Sequence, residues 1–199
     1  MSFLFFFLLS LCIAVKIQAQ YVVPNVTGYS CSNGPTPCEI YAFYKAQEPD
    51  FLSLGNISDL FGVSRLKIAK ASGLPANTNF LAEGQPLFIP ITCGCMGNYS
   101  QGNVSYEIKK SDTFYSVSTN YFEHLTTYQA VEVANPTLIP ENLQIGVQVI
   151  FPIRCQCPSK AQISKGIQMQ ITYVIQNGDT LECISEKFDV TLQDLMSQN

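Results

Sequence analysis

Apolar positions follow three patterns along the chain, and each predicts a different element. Phe3 to Val15 is an almost unbroken apolar run. It is shorter than the roughly 20 residues a membrane helix needs and has the length of a secretory signal core. Lys16 follows this run instead of preceding it, and Ala19 supplies a small residue for cleavage, so residues 1–19 read as a signal peptide. The second pattern is a short apolar run closed by proline. It occurs in Gly84-Gln-Pro-Leu-Phe-Ile-Pro90 and in Gly146-Val-Gln-Val-Ile-Phe-Pro152, each readable as a buried strand that ends at the proline. The third is alternation followed by helical spacing. Tyr106-Glu-Ile and Tyr173-Val-Ile alternate as half-buried strands do, and Leu181, Ile184 and Phe188 then recur on one helical face.

These patterns repeat. Gly84 to Cys95 aligns without gaps on Gly146 to Cys157, displaced by 62 positions, and Tyr106 to Phe114 aligns on Tyr173 to Leu181, displaced by 67. Both copies of the second segment carry an Asp-Thr pair, Asp112-Thr113 and Asp179-Thr180, placed to cap a helix. Ser64 caps a helix over Arg65–Ser72, with Gly73 as a left-handed terminator. In the middle copy a second helix runs from about Thr127 to Ala134 and stops at Asn135-Pro136, and Thr191 caps a segment bearing Leu192 and Leu195. The fold class is therefore α+β: tandem small units, each strand–helix–helix–strand over about 45 to 50 residues. Cores of that size are marginal alone and call for cross-links.

Composition narrows the chemistry. The chain has 11 basic and 15 acidic residues, a net charge of −4 and only 13% charged residues. Scattered cations on an acidic chain make a poor footprint for nucleic acid, and 47% hydrophobic residues argue against wholesale disorder. One histidine, His124, leaves little room for histidine-based triads or metal sites. The expected metal and cofactor count is none.

Cys12 leaves with the signal. Cys31, Cys38, Cys93, Cys95, Cys155, Cys157 and Cys183 remain, and secretion makes bridges their expected state. Two cysteines one residue apart rarely bridge each other, so each Cys-x-Cys pair sends its bridges to different places. Zinc would call for wider spacing. Cys183 is left over; it reads as a small apolar residue at the start of a helix, with a partner beyond residue 199 as the alternative. Asn25, Asn56, Asn98 and Asn103 head Asn-x-Ser/Thr sequons, whereas Asn135 is followed by proline.

Tyr173-Val-Ile-Gln-Asn-Gly-Asp-Thr-Leu-Glu-Cys-Ile-Ser-Glu-Lys-Phe-Asp-Val-Thr resembles the opening half of a LysM domain, and Gly84 to Pro90 resembles a closing half. Three such units separated by two Cys-x-Cys pairs behind a signal resemble the ectodomain of plant LysM receptor-like kinases. Asn56-Ile-Ser-Asp-Leu-Phe-Gly-Val-Ser and Asn135-Pro-Thr-Leu-Ile-Pro most resemble the chitin- and Nod-factor-perceiving branch whose kinase is often degenerate. The resemblance divides the chain into a signal (1–19), an N-terminal Cys-containing segment (20–40), unit 1 (41–91), a linker (92–104), unit 2 (105–153), a linker (154–171) and a truncated unit 3 (172–199) that stops at Asn199 before its closing strand. It implies the bridges Cys31–Cys95, Cys38–Cys157 and Cys93–Cys155. Ser111 departs from the pattern, standing where the family's turn usually has glycine.

The resemblance further implies binding of β-1,4-linked N-acetylglucosamine oligomers, as chitin fragments or lipo-chitooligosaccharides. The groove lies between the first strand–helix loop and the second helix–strand loop. An uncharged sugar needs backbone donors and acceptors and small apolar patches, so an acidic module is no obstacle. In unit 2 the implied lining is Asp112, Thr113, Phe114 and Tyr115, with Thr137, Leu138 and Ile139 opposite. Bland roles compete: helix capping is the favoured role for Asp112, and Phe114 fits a core position because Leu181 takes its place in unit 3. Leu138 and Ile139, between prolines, read as exposed apolar contacts, and this patch also suits an acyl chain. A sequon glycan at Asn56 would obstruct the groove of unit 1, which favours unit 2. Residues beyond 199 are expected to supply a membrane segment and a serine/threonine kinase or pseudokinase, with an active LysM receptor kinase as co-receptor. The alternative is a secreted or lipid-anchored LysM protein without a kinase. No catalytic site is expected within the chain: no Gly-x-Ser-x-Gly occurs, His124 has no nucleophile beside it, and every acidic residue falls in or beside a repeat.

Overall fold

The computed structural model describes residues 28–31 and 36–197. The signal run, the cleavage point after Ala19, Cys12 and the sequon at Asn25 lie outside the described residues. Among the described residues no helix is long and apolar enough to cross a membrane. The chain divides into two compact units, Val23–Val174 and another that holds Ile175–Asn199.

The larger unit contains two strand–helix–helix–strand repeats. The first consists of β2 (Cys38–Lys45), α1 (Leu54–Phe61), α2 (Arg65–Ala71) and β3 (Pro86–Met96). Strands β2 and β3 pair antiparallel from Cys38↔Cys93 to Lys45↔Pro86. The helices form because their ends are satisfied locally. The Ser53 side chain accepts from the Gly55 N–H, and the Ser64 side chain accepts from the Lys67 N–H. Gly62 and Gly73 take the left-handed conformation that stops each helix, at φ +63° and +66°. Leu54, Ile57 and Ile68 are fully buried, each worth about 1.5–3 kcal/mol of transfer free energy.

The second repeat consists of β4 (Tyr99–Glu107), α3 (Phe114–Ser116), α4 (Tyr128–Ala134) and β5 (Gln148–Arg154), with β4 and β5 antiparallel. Its first helix is one turn long and continues as a π-helical turn over Val117–Tyr121. The two-residue turn Gly97-Asn98 joins β3 to β4, with Gly97 at φ +61°. A short β1 (Tyr29–Ser30) pairs with β4. One sheet runs in the order β1-β4-β3-β2-β6, where β6 is the short strand Ile171–Thr172, and β5 pairs β4 off this path.

The strands do not end at their prolines. Pro90 lies inside β3 and Pro152 inside β5. The register explains why proline is tolerated there. Phe88 N–H donates to Ser72 Oγ, away from β2, so the missing N–H of Pro90, two residues on, falls on the open edge of β3. In β5, Ile150 N–H donates to Asn135 Oδ1 and Arg154 N–H to the Leu125 carbonyl, so Pro152 between them also faces away from β4.

An aromatic column joins the two repeats into one core. Phe61 of α1 meets Phe122 edge-on at 5.4 Å, and Phe122 stacks on Phe151 of β5 at 5.1 Å. Phe51 meets Tyr121 at 5.3 Å. Three disulfides, Cys31–Cys95, Cys38–Cys157 and Cys93–Cys155, staple the same unit, and they are the pairs the family resemblance implies. Their loops of 64, 119 and 62 residues correspond to about 4–5 kcal/mol of loop entropy each, less when combined because the loops overlap.

After the second Cys-x-Cys pair come α5 (Lys160–Ser164) and β6 (Ile171–Thr172). The expected strand beginning at Tyr173 is replaced by β6, two residues long and parallel to β2, with Tyr41↔Ile171 and Ala42↔Thr172 in register. A strand forms where a partner edge exists, and here that edge is the outer side of β2. The smaller unit contains α6 (Leu181–Phe188), capped by Thr180, and α7 (Leu192–Ser197). Ile184 is buried, but Leu181 is half exposed. No described cysteine is a free thiol. Cys183 is disulfide-bonded rather than the free buried thiol expected of it.

Candidate functional site

The turn between β4 and α3 carries the first half of the expected site. Ser111 adopts φ +71° where the third repeat has Gly178 at φ +92°, so the turn is kept despite the missing glycine, at about 1–2 kcal/mol of backbone cost. Asp112 does not cap α3. Its Oδ2 accepts from Tyr106 OH and from Lys109 N–H, both at 2.8 Å, and its Oδ1 accepts from Tyr121 OH at 3.3 Å. Thr113 is the cap: its Oγ1 accepts from Ser116 N–H at 2.9 Å, and Ser116 Oγ accepts from Thr113 N–H at 2.9 Å. Asp112 thus closes the turn and clamps two tyrosines. Burial and the adjoining Asp112 carboxylate hold the Tyr106 phenol far above the usual tyrosine range. The third repeat is built alike, with Asp179 accepting from Gln176 N–H at 2.7 Å and Thr180 capping α6.

Of the remaining expected residues, Phe114 is core. It is 2% exposed and meets Phe151 edge-on at 6.4 Å. Tyr115 points the other way, 61% exposed, and meets Tyr128 at 6.0 Å. Tyr128, the first residue of α4, is an exposed aromatic that the sequence pattern did not single out. Its placement depends on α3 packing against α4, which no local period records. Thr137 is exposed, Ile139 is 62% exposed, and Leu138 packs against the core. Thr113, Tyr115, Tyr128, Thr137 and Ile139 are thus exposed on the two loops and the helix starts, while Phe114 and Leu138 pack inward.

Asn135 anchors this second loop. Its Nδ2 donates to the Val131 and Ile150 carbonyls at 2.7 and 2.8 Å, and its Oδ1 accepts from Ile150 N–H at 3.0 Å. One buried amide thus ends α4 and supplies a partner to the open edge of β5.

In unit 1 the corresponding loops are tied directly. Leu54 N–H donates to the Asn79 carbonyl and Leu81 N–H to the Leu52 carbonyl, both at 2.9 Å. Phe80, beside this tie, is 86% exposed. The preceding loop also reaches unit 2, where Gln47 Nε2 donates to the Asn120 carbonyl at 2.6 Å and Lys45 N–H donates to Glu123 at 3.0 Å. Burial raises the Glu123 carboxyl above its ordinary value.

Elsewhere in the larger unit, a cleft of about 300 Å³ opens between the α1–α2 corner and β3 and β4. The sulfurs of Cys38, Cys93 and Cys157 lie within 4.8 Å of one another. All three are held in disulfides and have no thiolate to offer a metal. His124 is exposed, at φ +64°.

Models of known families match most of the chain. The NFP/LYK LysM1 domain matches residues 37–96, the NFP LysM2 domain residues 99–153, and the general LysM domain residues 173–199. Protein LYK5 of Arabidopsis thaliana is 30% identical over 177 residues, covering 85% of this chain and 26% of that protein. The Chitin elicitor-binding protein of Oryza sativa subsp. japonica is 25% identical over 170 residues, covering 82% of this chain and 46% of that protein. The chain thus spans about a quarter of LYK5 and under half of the rice protein. Among solved structures, the ectodomain of a receptor like kinase has the same fold, with a TM-score of 0.68 at 21% identity, covering 83% of this chain and 82% of that one. With repeated βααβ units, the Cys-x-Cys staples and these matches in register, the chain belongs to the LysM family, its first two units being of the NFP/LYK type.

Proposed function

We propose that this chain is the sugar-recognising extracellular region of a cell-surface LysM receptor, binding N-acetylglucosamine oligomers through unit 2. The observation that carries this reading is the exposed Tyr115–Tyr128 pair beside the Thr113 cap, with Thr137 and Ile139 exposed on the loop after α4. Aromatic faces pack against pyranose rings, and threonine hydroxyls and loop backbone supply neutral hydrogen bonds to N-acetyl and hydroxyl groups. Chitin fragments and lipo-chitooligosaccharides share this chemistry, and Ile139 offers apolar contact to an acyl chain. The names of relatives support the ligand class: the rice protein is named for binding a chitin elicitor, and another relative is Chitin elicitor receptor kinase 1.

In this reading the protein enters the secretory pathway, displays these units on the outer face of the plasma membrane, and is held there by residues beyond 199. A kinase or pseudokinase domain follows, and a LysM receptor kinase acts as co-receptor, feeding immune or symbiotic signalling. A second reading, a lipid-anchored LysM glycan binder without a kinase, is favoured by the LysM domain-containing GPI-anchored protein 2 of Arabidopsis thaliana, 26% identical across 92% of this chain.

Calorimetric titration with chitin oligomers tests the binding claim. Tyr115→Ala and Ile139→Asp alter exposed side chains, so the fold survives them, and each is expected to weaken binding about tenfold, or 1.4 kcal/mol. Unchanged affinity in both variants sinks the assignment to unit 2.

A further inference from the structure

The cleft beside α1 and α2 has an apolar floor and a polar rim. Phe61 and Ile91, each 4% exposed, form part of the floor, and Glu39, Lys67, Thr92 and Asn103 stand on the rim. Such a lining suits a pyranose ring, which has apolar faces and a polar edge. Its size decides what enters. About 300 Å³ is the low end of the range for small-molecule pockets and is room enough for one sugar ring.

Asn103 heads a sequon, Asn103-Val104-Ser105, on β4. Val104 turns into the core, which leaves Asn103 and Ser105 facing out. Asn103 Oδ1 accepts from Gln101 Nε2 at 2.9 Å, which leaves Nδ2 as the amide atom open to a covalent bond. The other described sequons differ. Asn56 Nδ2 already donates to the Asp50 carbonyl at 2.6 Å, and Asn98 sits at the exposed tip of the β3–β4 turn. Neither lines this cleft.

We propose that Asn103 carries an N-linked glycan whose first N-acetylglucosamine folds back into the cleft, making it an internal sugar seat of unit 1. The bond is made during secretion from a lipid-pyrophosphate-linked oligosaccharide. Asn103 Nδ2 bonds to C1 of the reducing-end sugar, the bond from C1 to the pyrophosphate oxygen breaks with its electron pair going to that oxygen, and the amide gives up one proton to the transferring enzyme. Tethering makes a weak cleft sufficient, because a short linker holds the sugar at an effective concentration of order millimolar or above. The filled cleft braces the α1–α2 corner and is closed to free ligand. This seat is independent of the unit 2 reading.

The chain secreted from a eukaryotic host is trimmed with an endoglycosidase that leaves one N-acetylglucosamine per site. It is then compared with Ser105→Ala, which destroys the sequon, and with Ser105→Thr, which preserves it. Ser105→Ala also removes an exposed hydrogen bond from Ser105 Oγ to Gln148 Oε1, which Ser105→Thr can keep. Peptide mass is expected to place one sugar on Asn103 in the wild type and Ser105→Thr. Backbone hydrogen exchange over residues 62–67 is expected to be several-fold slower in those two than in Ser105→Ala. An unmodified Asn103, or a modified one with equal exchange, overturns the proposal. If Ser105→Ala is not secreted, the wild type decides by itself: native-state glycan release by an amidase is expected to be slower at Asn103 than at the exposed turn residue Asn98, and equal rates overturn the seat.

Discussion

Replacing Asp112 separates a ligand contact from a structural clamp. In the structure its carboxylate accepts three hydrogen bonds, two from tyrosine hydroxyls and one from the Lys109 N–H. Asp112→Ala removes all three and leaves the hydroxyl of Tyr106, a residue 6% exposed, in a site with little water. A hydrogen bond to a charged group contributes about 1.5–3 kcal/mol, and an orphaned buried donor costs about 1–3 kcal/mol. Because Asp112 is only half-buried, solvent screens part of this, and a total near 3 kcal/mol is expected. For a chain of this size that corresponds to a fall in Tm of about 6–12 °C. Asp112→Asn keeps one acceptor and its volume, and should lose roughly half as much. Urea unfolding of the oxidised protein without ligand gives the stability change, and titration with a chitin oligomer gives the binding change. A variant that stays within about 0.5 kcal/mol of wild-type stability yet loses chitin affinity tenfold refutes the clamp and restores Asp112 to the ligand-binding set.

Asn135→Ala should destabilise by about 2–4 kcal/mol in the same assay, because the N–H and carbonyl of Ile150 lose their partner together; a change below about 1 kcal/mol would show that water replaces the amide freely. Gly102→Ala should cost about 3 kcal/mol or more and lower secretion yield, since a Cβ there runs into Ile91 Cγ2 and comes within 2.9 Å of the Thr92 carbonyl oxygen. Glu123 predicts a pH effect. Burial raises its carboxyl pKa above the ordinary 4.5, so its contribution to stability is full below that pH and is lost as pH climbs through the raised value. Glu123→Gln removes this titration, so its stability relative to wild type should be greater at pH 7 than at pH 4; a pH-independent difference contradicts the buried-carboxylate account.

The caps and stops of the helices were legible from the sequence because they are short-range devices. Ser64, Thr113, Thr127 and Thr180 each accept from an N–H three residues on, and Gly73 carries its left-handed φ by itself. The repeat was legible for the same reason, since each unit carries its own period, turn and cap. The disulfide pairing came through family resemblance, as spacing excludes only the bridge within each Cys-x-Cys pair. What remained hidden depends on how elements pack, which no local period records. Asp112 looked like a helix cap until the fold brought Tyr106 and Tyr121 to its carboxylate. Pro90 and Pro152 looked like strand ends, because only the ladder shows which side of a strand is open. Phe114 and Tyr115 are adjacent and both aromatic, and it is the position of Phe151 behind α3 that sends one inward and the other to the surface. Local sequence determines where this backbone turns and how each helix begins, since those contacts close within a few residues. Only tertiary structure decides which faces stay open to a ligand, since exposure is set by what packs against each face from the rest of the chain.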